Sequence, residues 1–469
     1  MTLGEIAGVV RGTVEPSAAD VMVAGDAFVD SRSPVAGGLF VALPGEHVDG
    51  HAYAKEAVDG GAAAVLVARP VPAPAVVVGD VLDALGSLAR HVMRQVTGTT
   101  VIGVTGSQGK TSTKDMLAEV LGSVAPTVAA RESQNNEIGV PLTALRVTPG
   151  TRYVVSEMGA RGMGHIAYLA GIMAPTIGIV LNVGVAHLGE FGSQDGVAAA
   201  KGELVESLPA DGFAILNADD LRVAAMAART DAAVLTFGRS QNADLRLARV
   251  GLDAHGHATL RLEWRGTSTD VTLTYVGEHQ AANAAAAAAA ALAAGLDLDV
   301  VGRALESARQ LSRWRMDVGT DPEGRVVIND AYNANPDSMR AAVKALVDIA
   351  ARRGRGRTVA VLGEMRELGD TSRLEHETMG RFVAGLGVAH LVVVGEAARP
   401  MYEAAAGAPS WEGAAEFAVD SDEGLGLARG ALQENDVVLV KASRAAGLEG
   451  LAAALLAGEQ PTTRTDGGR

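Results

Sequence analysis

The residue types best suited to chemistry form a glycine-rich turn between an apolar run, 100–104, and a helical pattern. The N–H groups of such a turn surround phosphate oxygens, and the amino end of the following helix contributes a favourable dipole. A lysine in the turn neutralises nucleotide phosphates, and the hydroxyl after it is a ligand for Mg²⁺. The pattern predicts an ATP-binding loop of Thr105, Gly106, Ser107, Gln108, Gly109, Lys110, Thr111 and Ser112.

Two further candidate ligands follow strand-like apolar runs. Glu157 comes directly after 153–156, and His187 comes shortly after 177–181. Open parallel sheets bind ligands at the carboxyl ends of their strands, where an ATPase also places the carboxylate that holds Mg²⁺. Position alone leaves a solvated glutamate and an ordinary histidine open as alternatives. We take both residues as candidate Mg²⁺ ligands and His187 also as a catalytic candidate.

Lysine is scarce in this chain. Only six of the 40 basic residues are lysine: Lys55, Lys110, Lys114, Lys201, Lys344 and Lys441. A lysine that remains is therefore a modest indication of chemistry that arginine does not perform. The spacing around Lys201 is that of an exposed helical lysine, but an amine also captures CO₂ as a carbamate, which is a metal-binding anion. We treat Lys110 and Lys201 as catalytic candidates and the carbamate as a hypothesis.

The composition excludes several classes of protein. The 469 residues are 48% hydrophobic and 20% charged, which is typical of globular domains and not of disordered chains. The net charge of −15 argues against a protein that mainly holds nucleic acid or an anionic membrane. The absence of cysteine excludes disulfides, thiol nucleophiles and Cys-ligated metal centres. We expect a cytoplasmic monomer without a signal peptide, membrane insertion or a nucleic-acid partner.

Apolar runs that alternate with helical segments predict an α/β protein of three domains. Residues 1–97 have short runs between Gly/Pro turns, as in a small mixed α/β domain. Residues 98–310 begin with buried-strand runs separated by helices, as in a parallel sheet covered on both faces. From about 233 to 276 an alternating pattern predicts added antiparallel strands. Residues 311–457 repeat the buried pattern as a Rossmann-like unit, and 458–469 form a polar tail that we expect to be disordered.

With these residues in hand, the chain resembles the Mur ligase family of peptidoglycan synthesis along nearly its whole length. Beyond the phosphate loop, the similar blocks are 134–142, 157–159, 182–192, 277–283, 329–339 and 362–369. Val104 stands where the general GxxxxGK[ST] pattern has its first glycine, and the family uses this shortened form. The last two blocks resemble the family member that adds a dipeptide. In the first of them, 329–339, the sibling that adds the third amino acid has a different sequence.

The resemblance implies an activity as well as a fold. Its three domains would bind a UDP-sugar, bind ATP and close over both. The implied enzyme is an ATP-dependent ligase that joins D-alanyl-D-alanine to UDP-N-acetylmuramoyl-tripeptide through an acyl phosphate, giving the pentapeptide, ADP and phosphate. ATP and two Mg²⁺ ions are the implied cofactors, and the two small-molecule substrates are the implied partners.

The family pattern also implies roles for the matching residues. Mg²⁺ would be held by Thr111, Glu157, His187 and, if carbamylated, Lys201. Asn283 would face the adenine, Asp330 the ribose and Arg315 the ATP phosphates. The UDP-substrate residues would be Ser31, Arg32, Asp49, His51, Asn135 and Asn136. Weaker candidates for the dipeptide pocket are Asn333, Asn335 and Asp337, which follow a strand.

Two positions depart from the family pattern. Trp314 stands where many relatives have glycine before the matching arginine, which weakens the assignment of Arg315. Ala442 replaces a glycine in the block 441–444, whose role is either support of the third domain or an ordinary loop at a strand end.

Two alternative functions stay open. Another amino-acid-adding relative, such as a folate polyglutamate ligase, would accept a different carboxylate, and the block 332–337 speaks against it. A nucleotide-sensing regulatory module would hydrolyse ATP slowly without an amine acceptor. Glu157, His187 and a third α/β domain are more than such a module requires.

Overall fold

The structure, a computed structural model, describes residues 1–45, 48–184 and 191–458. Three β-sheets follow one another along these residues, and helices cover them. This architecture confirms the predicted α/β class. None of the described helices combines the length and the apolar character that crossing a membrane requires.

The first sheet has the strand order β1-β5-β4-β3-β2, and only the β1–β5 pair is antiparallel. Its strands are β1 (Thr13–Val14), β2 (Ala27–Phe28), β3 (Leu39–Val41), β4 (Ala64–Val67) and β5 (Ala75–Val77). Its helices are α1 (Leu3–Val10), α2 (Ala54–Asp59) and α3 (Val81–Gln95). The first helix begins at Thr2, whose side chain accepts a hydrogen bond from the Glu5 N–H in a capping box.

The central sheet has the order β14-β13-β12-β11-β10-β9-β6-β8-β7. Its strands are β6 (Thr100–Thr105), β7 (Thr127–Ala129), β8 (Tyr153–Glu157), β9 (Ile177–Val180), β10 (Phe213–Asn217), β11 (Ala233–Gly238), β12 (Leu245–Leu252), β13 (His257–Trp264) and β14 (Thr267–Val276). Its described helices are α4 (Lys110–Gly122), α5 (Gly139–Ala144), α6 (His165–Met173), α7 (Gln194–Glu206), α8 (Leu221–Ala224), α9 (Gln280–Ala293) and α10 (Leu298–Ser307).

The pairing of β6 determines where the ligands meet. This strand lies between β8 and β9, in parallel with both, and Val104 pairs with Glu157. The phosphate loop, which follows β6, and the last residue of β8 therefore reach the same edge of the sheet. A carboxylate at this point is well placed for a phosphate-bound cation.

The antiparallel addition is shorter than the sequence pattern predicted. β11 pairs in parallel with both β10 and β12, and the antiparallel pairs are β12–β13 and β13–β14. The expected start near residue 233 was wrong because β11 is a parallel strand whose first residues, Ala233 and Val234, are exposed, so it lacks the continuous burial typical of parallel strands.

The alanine-rich segment forms the buried helix α9. Ala284–Ala291 are completely buried, and the helix packs against α4 and against strands of the central sheet. The small alanine side chains let α9 approach α4 and the sheet closely. This apolar run therefore belongs to the core of the central domain.

The third sheet has the order β15-β16-β20-β17-β18-β19, with only β15–β16 antiparallel. Its strands are β15 (Asp317–Thr320), β16 (Val326–Asn329), β17 (Thr358–Leu362), β18 (His390–Val394), β19 (Ala414–Ala418) and β20 (Val437–Lys441). Its helices are α11 (Pro336–Arg353), α12 (Ser372–Gly385), α13 (Arg399–Ala406), α14 (Ser421–Ala431) and α15 (Glu449–Leu456). The pairing of β16 with β20 brings Asp330 beside Lys441.

Candidate functional site

The predicted phosphate loop, residues 105–112, is clamped by Asn182, which follows β9. The Gln108 N–H donates to Asn182 Oδ1 at 3.0 Å, and Asn182 Nδ2 donates to the Gln108 carbonyl at 3.1 Å. Lys110 Nζ donates to the Gly106 carbonyl at 2.8 Å, so its amine is turned into the loop. The block around Asn182 was recognised in the sequence, but this clamp was missed, because only the parallel pairing of β6 with β9 reveals it.

Gly109 allows close contact between the loop and α9. Its φ is +81°, and a Cβ atom there would overlap the side-chain oxygen of Asn283. Asn283 Nδ2 in turn donates to Gln280 Oε1 at 2.8 Å. The predicted adenine residue thus lies directly against the phosphate loop.

Substituting Gly109 with alanine is expected to weaken ADP binding at least about tenfold. The added methyl group meets Asn283, and the left-handed backbone costs a side-chain residue about 1–2 kcal/mol. Gly122→Ala, at the other end of α4, is the matched control, because its added Cβ meets nothing within 4 Å. Calorimetric titration of both variants checks this, and equal affinity in Gly109→Ala would contradict the role of the loop.

A set of oxygen atoms suited to Mg²⁺ lies beside Lys110. The Thr111 hydroxyl donates to Glu157 Oε2 at 2.9 Å and lies 2.9 Å from Ser133 Oγ, while Asn135 Nδ2 donates to Glu157 Oε1 at 2.7 Å. Glu157 is only 1% exposed. Mg²⁺ prefers hard oxygen ligands, so the carboxylate and the hydroxyls fit this ion. Ser133 was not among the predicted residues.

Arg315 extends from the third domain to this set of oxygen atoms. Its Nη2 donates to Ser133 Oγ at 2.8 Å and lies 3.3 Å from Thr111 Oγ1, and its guanidinium stacks 4.1 Å above the Tyr332 ring. Its Nε is buried and has no hydrogen-bond partner within the described residues. A buried donor without a partner is costly, and a phosphate oxygen would satisfy it.

The backbone at position 314 favours glycine, but the Trp314 side chain makes a contact of its own. Trp314 and Met316 have φ values of +57° and +60°, a region in which glycine is favoured. The Trp314 ring lies 4.3 Å from the Arg444 guanidinium, a cation–π contact that glycine does not provide. Although tryptophan replaces glycine at position 314, Arg315 still contacts Thr111 of the predicted loop.

Lys110 lies in an environment that lowers the pKa of its amine. Burial is the main cause, and the positive charge of Arg315 adds to it, while the carboxylates of Glu157 and Glu367 act in the opposite direction. Two cations, Lys110 and Arg315, thus face the same cavity of about 130 Å³. Bound phosphate groups would stabilise both charges.

Lys201 is buried in α7 and not exposed as its spacing suggested. It is 3% exposed, and no hydrogen bond or ion pair of its amine is found among the described residues. Burial and the charge of Lys110 place its pKa well below the usual value for lysine. A neutral amine is the form that reacts with CO₂, so this environment suits a carbamate. The candidate ligand His187 lies outside the described residues.

Asp330 lies on the predicted nucleoside side of the loop. Lys441 Nζ donates to its Oδ2 at 2.6 Å, and the Met316 N–H donates to its Oδ1 at 3.1 Å. Lys441 also donates to the Asn333 carbonyl at 2.7 Å. Of the two roles considered for the block 441–444, this arrangement favours support of the third domain.

The predicted UDP-substrate residues fall into two groups. Ser31 and Arg32 lie in a turn in which Ser31 is half-buried and Arg32 is exposed, and Arg32 Nε donates to Asp30 Oδ1 at 2.9 Å. His51 is buried: its Nε2 accepts the Ala68 N–H at 2.8 Å, and its Nδ1 donates to Asp49 Oδ1 at 2.6 Å. The Arg69 side chain and the hydrogen bonds from His51 lower the pKa of Asp49. Both ring nitrogens of His51 are therefore engaged within the first domain.

The other two predicted UDP residues lie in the segment between β7 and α5, where Asn135 lines the cavity beside Lys110. Asn135 contacts Glu157, as described above, and Asn136 Oδ1 accepts the Gly139 N–H at 2.9 Å at the start of α5. Asn135 and Asn136 thus each form a hydrogen bond that supports the local structure. Their role toward the substrate stays a prediction.

The candidates for the dipeptide pocket have different environments. Asn335 caps α11, because its Oδ1 accepts the Ser338 N–H at 2.9 Å. Asp337 Oδ1 accepts a hydrogen bond from Arg340 at 3.2 Å. Asn333 and Asn335 line the cavity of the phosphate loop. The helix cap gives Asn335 a structural role that the sequence prediction did not include.

Comparisons with known proteins agree with this arrangement. Family models match at 28–92 (Mur ligase family, catalytic domain), 104–291 (Mur ligase middle domain) and 314–444 (Mur ligase, glutamate ligase domain). The UDP-N-acetylmuramoyl-tripeptide--D-alanyl-D-alanine ligase of Mycobacterium tuberculosis is 44% identical over 97% of this chain and 98% of its own.

Solved structures extend this similarity to three dimensions. MurF from Acinetobacter baumannii is 32% identical, covers 97% of this chain and 98% of its own, and has a TM-score of 0.83. MurF ligase from Thermotoga maritima, in complex with ADP, is 27% identical, covers 92% and 96%, and has a TM-score of 0.77. With the same fold over nearly the whole length and family matches in all three parts, this chain belongs to the Mur ligase family.

Proposed function

We propose that this protein is an ATP-dependent ligase that joins D-alanyl-D-alanine to UDP-N-acetylmuramoyl-tripeptide. The observation that carries the proposal is the contact of Arg315, from the third domain, with Ser133 and Thr111 at the phosphate loop. A side chain of the third domain that reaches the phosphate site of the central domain is suited to an enzyme whose domains close over two substrates. The similarity to a ligase of this name over 97% of the chain supports the choice of substrates.

The reaction has two steps. A carboxylate oxygen of the tripeptide attacks the γ-phosphorus of ATP, the bond from that phosphorus to the β–γ bridging oxygen breaks, and ADP leaves with the electron pair. The amine of D-alanyl-D-alanine then attacks the acyl carbon. The carbon–oxygen bond to phosphate breaks, phosphate leaves, and the amine loses one proton as the peptide bond forms.

The first step brings two anions together, which requires positive charge. Lys110 and Arg315 would supply it at the γ-phosphate, since both face the same cavity. Mg²⁺ held by Thr111, Glu157 and His187 would neutralise phosphate oxygens, and a second ion would use a carbamate on Lys201. Closure of the third domain would keep water from the acyl phosphate.

The remaining assignments are part of the same proposal. Asn283 and Asp330 would bind the adenosine, and Asn333, Asn335 and Asp337 would border the dipeptide. The UDP substrate would contact Ser31, Arg32, Asp49, His51, Asn135 and Asn136. We place the domain boundaries near 97 and 310 and expect a monomer that acts in the cytoplasm, where ATP and nucleotide-linked sugars are found.

Phosphate release from the purified protein tests the proposal. The assay contains ATP, Mg²⁺, UDP-N-acetylmuramoyl-tripeptide and D-alanyl-D-alanine, and each is omitted in turn. Release that needs both substrates, with a pentapeptide product by mass spectrometry, is expected. Release that needs a different amino acid would indicate a sibling ligase, and release indifferent to both substrates would indicate a nucleotide-sensing module.

A further inference from the structure

A buried ion pair lies beneath the phosphate loop, one helical turn beyond Lys110. Lys114 and Asp115 on α4 are each 1% exposed, and Lys114 Nζ lies 2.5 Å from Asp115 Oδ1. Burying two charges is unfavourable unless both are well hydrogen-bonded. The hydrogen bonds that stabilise Lys114 and Asp115 therefore identify the segments that this ion pair connects.

One group of contacts reaches residues 130–135, the segment between β7 and α5 that carries Ser133 and Asn135. Lys114 Nζ donates to the Ala130 carbonyl at 2.9 Å and to the Glu132 carbonyl at 3.0 Å. These carbonyls lie three residues and one residue before Ser133, which contacts Thr111 and Arg315. The amine of Lys114 thus connects the segment 130–135 to α4, the helix that follows the predicted phosphate loop.

The other group of contacts reaches the connection to the third domain. Lys114 Nζ donates to Ser312 Oγ at 3.2 Å, and the Ser312 N–H donates to Asp115 Oδ2 at 3.0 Å. The Ser312 hydroxyl lies 3.2 Å from Asp115 Oδ1. Ser312 is 2% exposed and precedes Arg315 by three residues. The Lys114–Asp115 pair therefore fixes Ser312, the first residue of the segment 312–315 that ends in Arg315. We call this segment the arm of Arg315.

We propose that Lys114 and Asp115 are positioning residues that set Arg315 and Ser133 against the phosphate loop. This inference rests on the proposed function. Three segments of the site meet at one ammonium group, which offers N–H donors in three directions. An apolar pair of the same size would pack on α4 but would not orient the two carbonyls and Ser312.

Asp115→Asn tests the inference together with Lys114→Met. We expect the kcat for ligation to fall about 100-fold in both, because a misplacement of about 1 Å at a reacting group has this effect. The KM for D-alanyl-D-alanine should change by less than about threefold. Asp321→Asn is the matched control, since Asp321 is likewise a buried aspartate in an ion pair, here with Arg325 at the β15–β16 turn.

The melting temperature and a double variant separate positioning from stability. Lys114→Met/Asp115→Leu removes both charges, so it should recover thermal stability while kcat stays low. Recovery of kcat together with stability, or a kcat within twofold of wild type in folded Lys114→Met, would overturn the inference. Wild-type protein that fails to form the peptide product in the same assay would instead overturn the proposed function.

Discussion

Replacing Lys110 with alanine is expected to reduce ligation about 10³-fold or more, while the protein stays folded. The amine lies in the phosphate loop, where it donates to the Gly106 carbonyl and faces the same cavity as Arg315. Without it, the carboxylate approaches the γ-phosphate against an uncompensated negative charge. Product formation measured by mass spectrometry, together with a thermal melt, checks the expectation.

A second lysine provides the control for this substitution. Lys55 is exposed in the first domain, where it pairs with Asp59, so Lys55→Ala should leave turnover unchanged. Lys110→Ala and Lys55→Ala each remove one positive charge, but only Lys110→Ala removes it from the predicted phosphate loop. Normal turnover by folded Lys110→Ala protein would be incompatible with the phosphate-loop assignment.

Replacing Lys201 with alanine is expected to leave the enzyme nearly inactive, with at least about a 100-fold loss. If the buried amine carries a carbamate, the variant lacks an anionic metal ligand and gains a cavity beside Lys110. A small carboxylate such as acetate or formate fits that cavity and should restore part of the activity. Turnover measured against carboxylate concentration checks this.

The rescue by carboxylate has a matched control in Lys110→Ala. That variant loses a cation, so an added carboxylate should not restore it. Full activity of Lys201→Ala without any carboxylate would remove the carbamate from the mechanism. Equal rescue of both lysine variants would indicate a nonspecific salt effect.

Much of the local structure could be read from the sequence. Buried-strand runs predicted β6, β8, β9 and, in the third sheet, β16, β17, β18 and β20, because side chains covered on both faces must be apolar. The partly exposed edge strand β19 was missed, because it has no such run. The glycines and Lys110 predicted a phosphate loop, since their spacing is local and needs no partner from elsewhere. The direction of β11 could not be read, because its first residues are exposed and the strand lacks the continuous apolar run typical of parallel pairing.

Other parts of the site depended on which segments meet in space. The sequence alone determined the α/β class, the phosphate loop, the strand-end Glu157 and, through long motifs, the family. Only the tertiary structure decided that Lys201 is buried, that Asn182 clamps the loop, and that Lys114 and Asp115 hold the arm of Arg315. Burial and hydrogen bonds between residues about 200 positions apart arise from packing, and local spacing carries no signal for them.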